Sequence, residues 1–155
     1  MLADKIEIRE VEAGDIAILV KNMREHDKQE VNAATNMGIR NAVKTSVNLS
    51  SYSKTGLVND ELVCMWGVCP ISLLSSSGSP WMLGTDLIEK KQRVFLRRSK
   101  PWLDDIRKDY RYLENFVDAR NVLSVKWLKW LGFEMDEAEP YGIHGEPFHK
   151  FTMET

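Results

Sequence analysis

Two carboxylates three residues apart, Asp27 and Glu30, continue the stripe of Ile16, Leu19, Val20 and Met23 when residues 16–30 are counted as one helical rod. That stripe is the face that turns to the core. An inward carboxylate is costly unless it is paired or employed as a proton acceptor, which makes Glu30 a candidate base. The competing reading is local. Asp27 caps a second short helix, Glu30 reaches back to the cap amide, and Arg24 pairs with them. A third carboxylate, Asp86, closes the run Trp81-Met-Leu-Gly-Thr85. Strand ends commonly line clefts, but a turn or helix cap explains Asp86 equally well.

Residues 89–100, EKKQRVFLRRSK, hold six cations (Lys90, Lys91, Arg93, Arg97, Arg98 and Lys100) against Glu89. Such a cluster can hold phosphate by charge, with Ser99 and the first amides of a following helix contributing. It can also be a solvated cationic face. No row of aromatics interleaves the cations, so specific nucleic-acid binding is not expected. His26, His144 and His149 are scattered over three segments. Cys64 and Cys69 lie five apart in one strand and point to opposite faces, so neither a disulfide nor a zinc site is expected.

The elements that must position these groups follow from periodicity. Residues 6–11 alternate as a strand, Asp15 stands where a helix cap would, and the first helix ends near Glu25. A second short helix runs to about Asn36, Gly38 breaks it, and Ile39 to Leu49 forms a third. Tyr52–Val58 and Glu61–Cys69 make a hairpin around Asn59-Asp60, Pro70 ends it, and residues 71–80 read as a loop before the strand Trp81–Thr85. Ser99 caps a helix from Lys100 to Tyr110. Leu113–Val117 is a strand, Asn121 or Leu123 opens a helix stopped by Gly132, and strands from Phe133 and over Phe148–Met153 complete the chain.

At 155 residues, with 43% hydrophobic and 28% charged residues, the chain suits one domain with one core, spanning 1–155. The expected class is α+β with a single mixed sheet of about six or seven strands and about four helices. A net charge of −2 provides no global field toward nucleic acid or anionic lipid. No basic segment followed by an apolar run opens the chain and no stretch could span a membrane, which implies a soluble cytoplasmic protein.

The order of elements, together with the segment Asn121-Val-Leu-Ser-Val-Lys-Trp-Leu-Lys-Trp-Leu-Gly-Phe133, resembles the GNAT family of N-acetyltransferases. There a strand, an Asn, a short amphipathic helix and a Gly-Phe pair follow in turn. Over Ile6 to Met153, the strings MREHDKQEV, PWMLGTD, VDARN, WLKWLGF and PYGIHGEPFHKF resemble a phage-encoded subfamily of acetyltransferase-like proteins, related to an internal virion or morphogenesis protein of short-tailed phages.

The resemblance implies an acetyl-CoA-dependent N-acetyltransferase of phage origin, acting on an amine of a protein or small molecule in the host cytoplasm. The alternative it implies is a non-catalytic module that assembles with phage structural proteins in the virion. In this fold two parallel strands part and the pantetheine arm of acetyl-CoA lies between them. The corresponding strands here are Trp81–Thr85, with Leu83, Gly84 and Thr85 beside the tail, and Leu113–Val117. Gly84 suits either a bulge at the parting or plain packing. Asn121 matches the family's Asn that touches cofactor or substrate.

The sequence departs from the pattern twice. The stretch Gln92–Arg97, where a pyrophosphate loop belongs, has no glycine, which leaves Arg93, Arg97, Arg98 and Ser99 as substitutes. The usual thiolate-protonating Tyr, four residues before Gly132, is Leu128, which leaves Ser124 or Tyr141.

Overall fold

Asn59 and Asp60 both take positive φ, 49° and 66°, the pair of left-handed residues a two-residue hairpin needs. They turn β2 (Tyr52–Val58) into β3 (Glu61–Ser72), and β1 (Ile6–Glu10) lies antiparallel on the other edge of β2. The computed structural model describes residues 3–155. Its remaining elements are α1 (Asp15–Asn22), α2 (Glu25–Ala34), α3 (Ile39–Leu49), β4 (Ser77–Gly84), α4 (Leu87–Lys90) and α5 (Gln92–Asp109). They are followed by β5 (Tyr112–Asp118), α6 (Val122–Leu131), β6 (Glu134–Met135), β7 (Glu139–Tyr141) and β8 (Glu146–Glu154). One mixed sheet runs in the order β1-β2-β3-β4-β5-β8-β6, with β7 also on β8. Every pairing is antiparallel except β4 with β5. The expected mixed α+β sheet is therefore present, with eight strands and six helices among the described residues.

Helices cover both faces. On one, Leu19 of α1, Met23 just after it and Val43 of α3 pack on Leu62, Met65 and Leu83. On the other, Phe95, Leu103 and Ile106 of α5 and Trp127 of α6 pack on Cys64, Trp66, Val68, Leu113 and Val117. Cys64 is buried on the α5 side while Cys69 meets Ser50 and Ser46 of the α3 end, so the two thiols do face apart and are free.

Several local expectations are corrected. Asp15 is not a cap: Gly14 precedes α1 in the left-handed region, and the buried Asp15 carboxylate binds Arg9, Thr55 and the Glu12 amide. The first helix stops at Asn22, and Asp27 lies inside α2. Gly38 precedes α3 and does not stop α2. β3 continues through Pro70 because β2 has already ended at Tyr52, opposite Val68, so the missing N–H faces no partner. The supposed loop 71–80 contributes Ser77–Pro80 to β4.

Ser99 caps nothing. The helix begins at Gln92, and the Ser99 hydroxyl donates back to the Phe95 carbonyl at 2.8 Å. Pro101 is carried inside α5, where it is exposed and the Arg97 carbonyl left without its helical donor can meet water.

Candidate active site

β4 and β5 run parallel but meet only at Ser77–Tyr112 and Gly78–Leu113. The next rung would join Pro80 to Asn115. Pro80 faces β5, since its carbonyl accepts the Asn115 Nδ2 at 2.8 Å, and proline has no N–H to continue the ladder. Asn115 Oδ1 meanwhile takes the Phe116 amide at 2.8 Å. Beyond this bridge the strands part.

Period-two alternation aims the backbone of residues 80, 82 and 84 of β4 toward β5. The Gly84 N–H is bound by Asp27 Oδ2 at 2.8 Å and the Gly84 carbonyl by the Arg24 amide at 2.9 Å. Met82 alone keeps both backbone groups facing the gap.

A cavity of about 280 Å³ passes through this parting and touches both helical layers. On the α2/α3 side its wall includes Glu30, Thr35, Ser46 and Tyr141. On the α5/α6 side it includes Arg98, Ser99, Ser124 and the rings of Trp66, Trp102 and Trp127. The lining is chiefly apolar, which strengthens any charge or hydrogen bond inside it.

The far ends of the two strands are tied together by α2. Glu30 Oε1 accepts the Asp118 amide at 2.8 Å, as Asp27 accepts that of Gly84. Asn121 joins the two carboxylates, donating Nδ2 to Asp27 Oδ1 at 3.0 Å and to Glu30 Oε1 at 3.4 Å, and its Oδ1 receives Arg24 Nη1 at 3.0 Å. Arg24 also pairs with Asp27 at 2.8 Å. Arg24, Asp27 and Asn121 are all buried, so this knot satisfies charges that would otherwise be prohibitive.

Arg24 pairs with Asp27 and, at 3.5 Å, with Glu89, while Glu30 has no cationic partner among the described residues. Loss of water, and then the negative charge of Asp27, push Glu30 up to about 8. Asp27 is also raised by burial, against the pull of Arg24. The inward reading of both residues, and not the capping one, describes where they lie.

The other expected residues separate into two groups. Glu30, Arg98, Ser99, Ser124, Tyr141 and Leu83 border the cavity; Asn121 is buried outside its wall and reaches it only through Glu30. Tyr141 is stacked on Phe116 with ring centroids 4.0 Å apart, on the α2 side, because the turn after β7 donates Ile143 N–H to the Ala33 carbonyl. Ser124 is on the opposite layer.

Asp86 is exposed, without a side-chain cap bond, and outside the cavity wall. Arg93 and Arg97 are exposed and also outside it. Thr85 turns back onto β3, its amide and hydroxyl bonding the Val63 carbonyl, and so offers nothing to the gap. Gly84 has ordinary backbone; a Cβ there would meet Ile88 Cγ2 at 2.9 Å, so close packing of α4 is its need. An Asp118–Arg120 pair, 2.7 Å apart, closes the turn after β5.

Residues that sequence reasoning passed over include Asn115 as bridge, Pro80 as ladder stop and Met82 as the free backbone, while Arg24 was read only as a local partner of the two carboxylates. Pro80 carried no sign of its role, because it fell in the stretch read as a loop.

Among the described residues no His, Cys, Asp and Glu group could hold a metal, and no helix is long and apolar enough to cross a membrane. No protein-family model and no curated protein matches the chain. Solved structures do. An acetyltransferase of the GNAT family from Streptococcus pneumoniae aligns at 14% identity and TM-score 0.67, over 97% of this chain and 99% of that one. A ribosomal-protein-alanine N-acetyltransferase from Brucella melitensis aligns at 12% and 0.71, over 96% and 99%. A ribosomal L7/L12 alpha-N-protein acetyltransferase in complex with coenzyme A aligns at 10% and 0.71, over 96% and 93%. Nothing in these comparisons points to a phage protein or a virion component. The likeness is one of architecture over nearly the full length of both partners, and it gives this chain the GNAT fold.

Proposed function

We propose that the chain is an N-acyltransferase that moves an acyl group, acetyl in the simplest case, from a thioester to an amine of a protein or small molecule. The observation that carries this is the parting of β4 and β5 after two residue pairs, continued by a through-going cavity with Glu30 on its wall. The fold shared with acetyltransferases supports it.

Acetyl-CoA would supply the acyl group as a thioester. Its tail fits the parting, where the Met82 N–H and carbonyl await a partner. The β4–α4 turn offers its diphosphate no backbone cradle, because the amides of Gly84, Thr85, Asp86 and Ile88 are bonded to Asp27, Val63, Asn22 and Thr85 respectively. Arg98 at the rim is the cation left to face phosphate.

Glu30 takes the proton of the arriving ammonium, and a group that titrates near 8 is matched to that task at neutral to mildly alkaline pH. The neutral amine then forms its N–C bond as the C–S bond breaks, and the leaving thiolate gains a proton. Ser124 stands on the wall from which the tail arrives and serves that last transfer. Tyr141, stacked on Phe116, lines the acceptor side. Thiol release from acetyl-CoA with mixed amine acceptors tests the reading: it should be acceptor-dependent and fall about a hundredfold or more in Glu30→Gln. Turnover untouched by that substitution sinks the reading.

A second reading, a non-catalytic assembly module of a phage particle, is favoured by one feature. The β3–β4 turn exposes Ile71, Leu73 and Leu74, the last two almost completely, as a contact surface would. Co-sedimentation with virion proteins that is lost in Leu73→Ser/Leu74→Ser supports it.

A further inference from the structure

On the acyltransferase reading the thioester tail arrives from the α5/α6 side, so the acceptor stands in the α2/α3 half of the cavity. The wall of that half comes from Val31 of α2, Ala42 and Ser46 of α3, Trp81 of β4, Phe116 of β5 and Tyr141 of β7. These side chains are within a ligand's reach: Ala42, Trp81 and Phe116 are half-buried and Tyr141 is 37% exposed. Glu30 is the one charged side chain among the described residues of this half, and the cavity's other charge, Arg98, lies across the sheet. Glu30 Oε1 is held by the Asp118 amide and Asn121, whereas Oε2 has no partner among the described residues and is not sealed off. An apolar chamber with a single free carboxylate oxygen suits one positive charge on an apolar body.

The turn between β7 and β8 closes this half. The Ala33 carbonyl, in the last turn of α2 and so without a helical donor, accepts the Ile143 N–H at 3.1 Å. Gly142 lies directly on that carbonyl: its φ is +77°, and a Cβ would fall 2.1 Å from the Ala33 oxygen. Only glycine permits so close an approach. Clamped in this way, the turn holds the Tyr141 ring 4.0 Å from that of Phe116 and 5.1 Å from that of Phe148, as a fixed wall.

Three common amine classes suit this wall poorly. The carboxylate of a free amino acid would meet no cation here and would repel Glu30. A diamine or polyamine would bring a second ammonium into apolar surroundings without a second anion. A protein lysine has a slender stem that leaves the ring-lined space unfilled. We propose, resting on the acyltransferase reading, that the acceptor is a small primary monoamine with an apolar body, of arylalkyl or branched-alkyl type, that Tyr141 sets this preference, and that Gly142 positions Tyr141. The transfer itself is unchanged: the amine nitrogen bonds the acyl carbon and gives up a proton, and the donor leaves as a thiol.

Binding is measured by calorimetry on the full chain, without donor, using 2-phenylethylamine, phenylalanine, 1,5-diaminopentane and a peptide with one internal lysine; thiol release from acetyl-CoA is then followed with the same acceptors. 2-Phenylethylamine should bind at least about thirtyfold tighter than each of the others and lead them in kcat/KM by a similar factor. Ala42→Leu fills part of the chamber and should cost 2-phenylethylamine about tenfold or more in kcat/KM, while ethylamine stays within about threefold. A mere loss of stability would lower both alike. Gly142→Ala and Tyr141→Ala should each raise KM for 2-phenylethylamine about five- to twentyfold with kcat within about threefold, and leave KM for 1,5-diaminopentane unmoved. Where Gly142→Ala does not fold, Tyr141→Ala carries the same test. Phenylalanine, the diamine or the peptide acetylated as well as 2-phenylethylamine overturns the inference and leaves the acyltransferase reading standing. 2-Phenylethylamine bound with the expected preference, and lost in Ala42→Leu, but with no thiol release for any acceptor, upholds the chamber's selectivity and removes the transferase.

Discussion

Replacing Glu30 by Gln keeps an oxygen for the Asp118 amide and removes the proton equilibrium, which makes the substitution a direct probe of the knot between α2 and the parted strands. In the folded chain Glu30 titrates at about 8 and in the unfolded chain near 4.5. Between those values the native state holds a proton that the unfolded state has lost, so wild-type stability declines as pH rises through that window and levels off above 8. At about 1.4 kcal/mol per unit the full shift is on the order of 5 kcal/mol, and contact with the open cavity brings the expected figure nearer 3. For a chain of this length that is roughly 10 °C of melting temperature. Thermal unfolding of wild type and Glu30→Gln by circular dichroism, from pH 5 to 9, should give curves that nearly coincide at pH 5 and then separate, the variant being the more stable at pH 9. Parallel curves would refute the burial argument, whatever the activity of either protein.

Asn121→Ala strips Arg24, Asp27 and Glu30 of a shared partner and should cost about 2–4 kcal/mol in urea unfolding, more than an ordinary buried hydrogen bond. Gly84→Ala drives a methyl to 2.9 Å from Ile88 Cγ2 and should cost about 1–3 kcal/mol, read the same way. Ser99→Ala should change stability by less than about 0.5 kcal/mol, because its hydroxyl serves a carbonyl already bonded in the helix and no terminal amide.

What the sequence made legible was whatever repeats within about ten residues. The hairpin at Asn59-Asp60, α3, β5 and the glycine-stopped α6 each carry their period and their punctuation together. Failures came where a local signal was outvoted from a distance. Ser99 before Pro101 looks like a helix start, yet Phe95 and Leu103 on one buried face hold the whole of α5 together across it. Pro70 looks like a strand end, but β4 pairs past it.

The candidate site divides in the same way. The stripe through Ile16 to Glu30 predicts that the carboxylates turn inward even though the rod is broken at Met23–Arg24. Their partners, Gly84 from 57 residues away and Asn121 from 94, belong to tertiary structure and leave no local trace. The GNAT-like segment around Asn121 indicated the fold, and the stretch without glycine follows a β4–α4 turn whose amides bond within the protein.

Pro80 gives the sheet a weak seam at one chosen rung. An ordinary residue there would bring a donor, and Asn115 would then compete with a regular ladder to decide whether the wall is continuous or perforated. The opening is therefore set at its near end by one imino acid and held farther along by the first turn of α2, since Asp27 and Arg24 occupy the Gly84 amide and carbonyl that a continuous ladder would need.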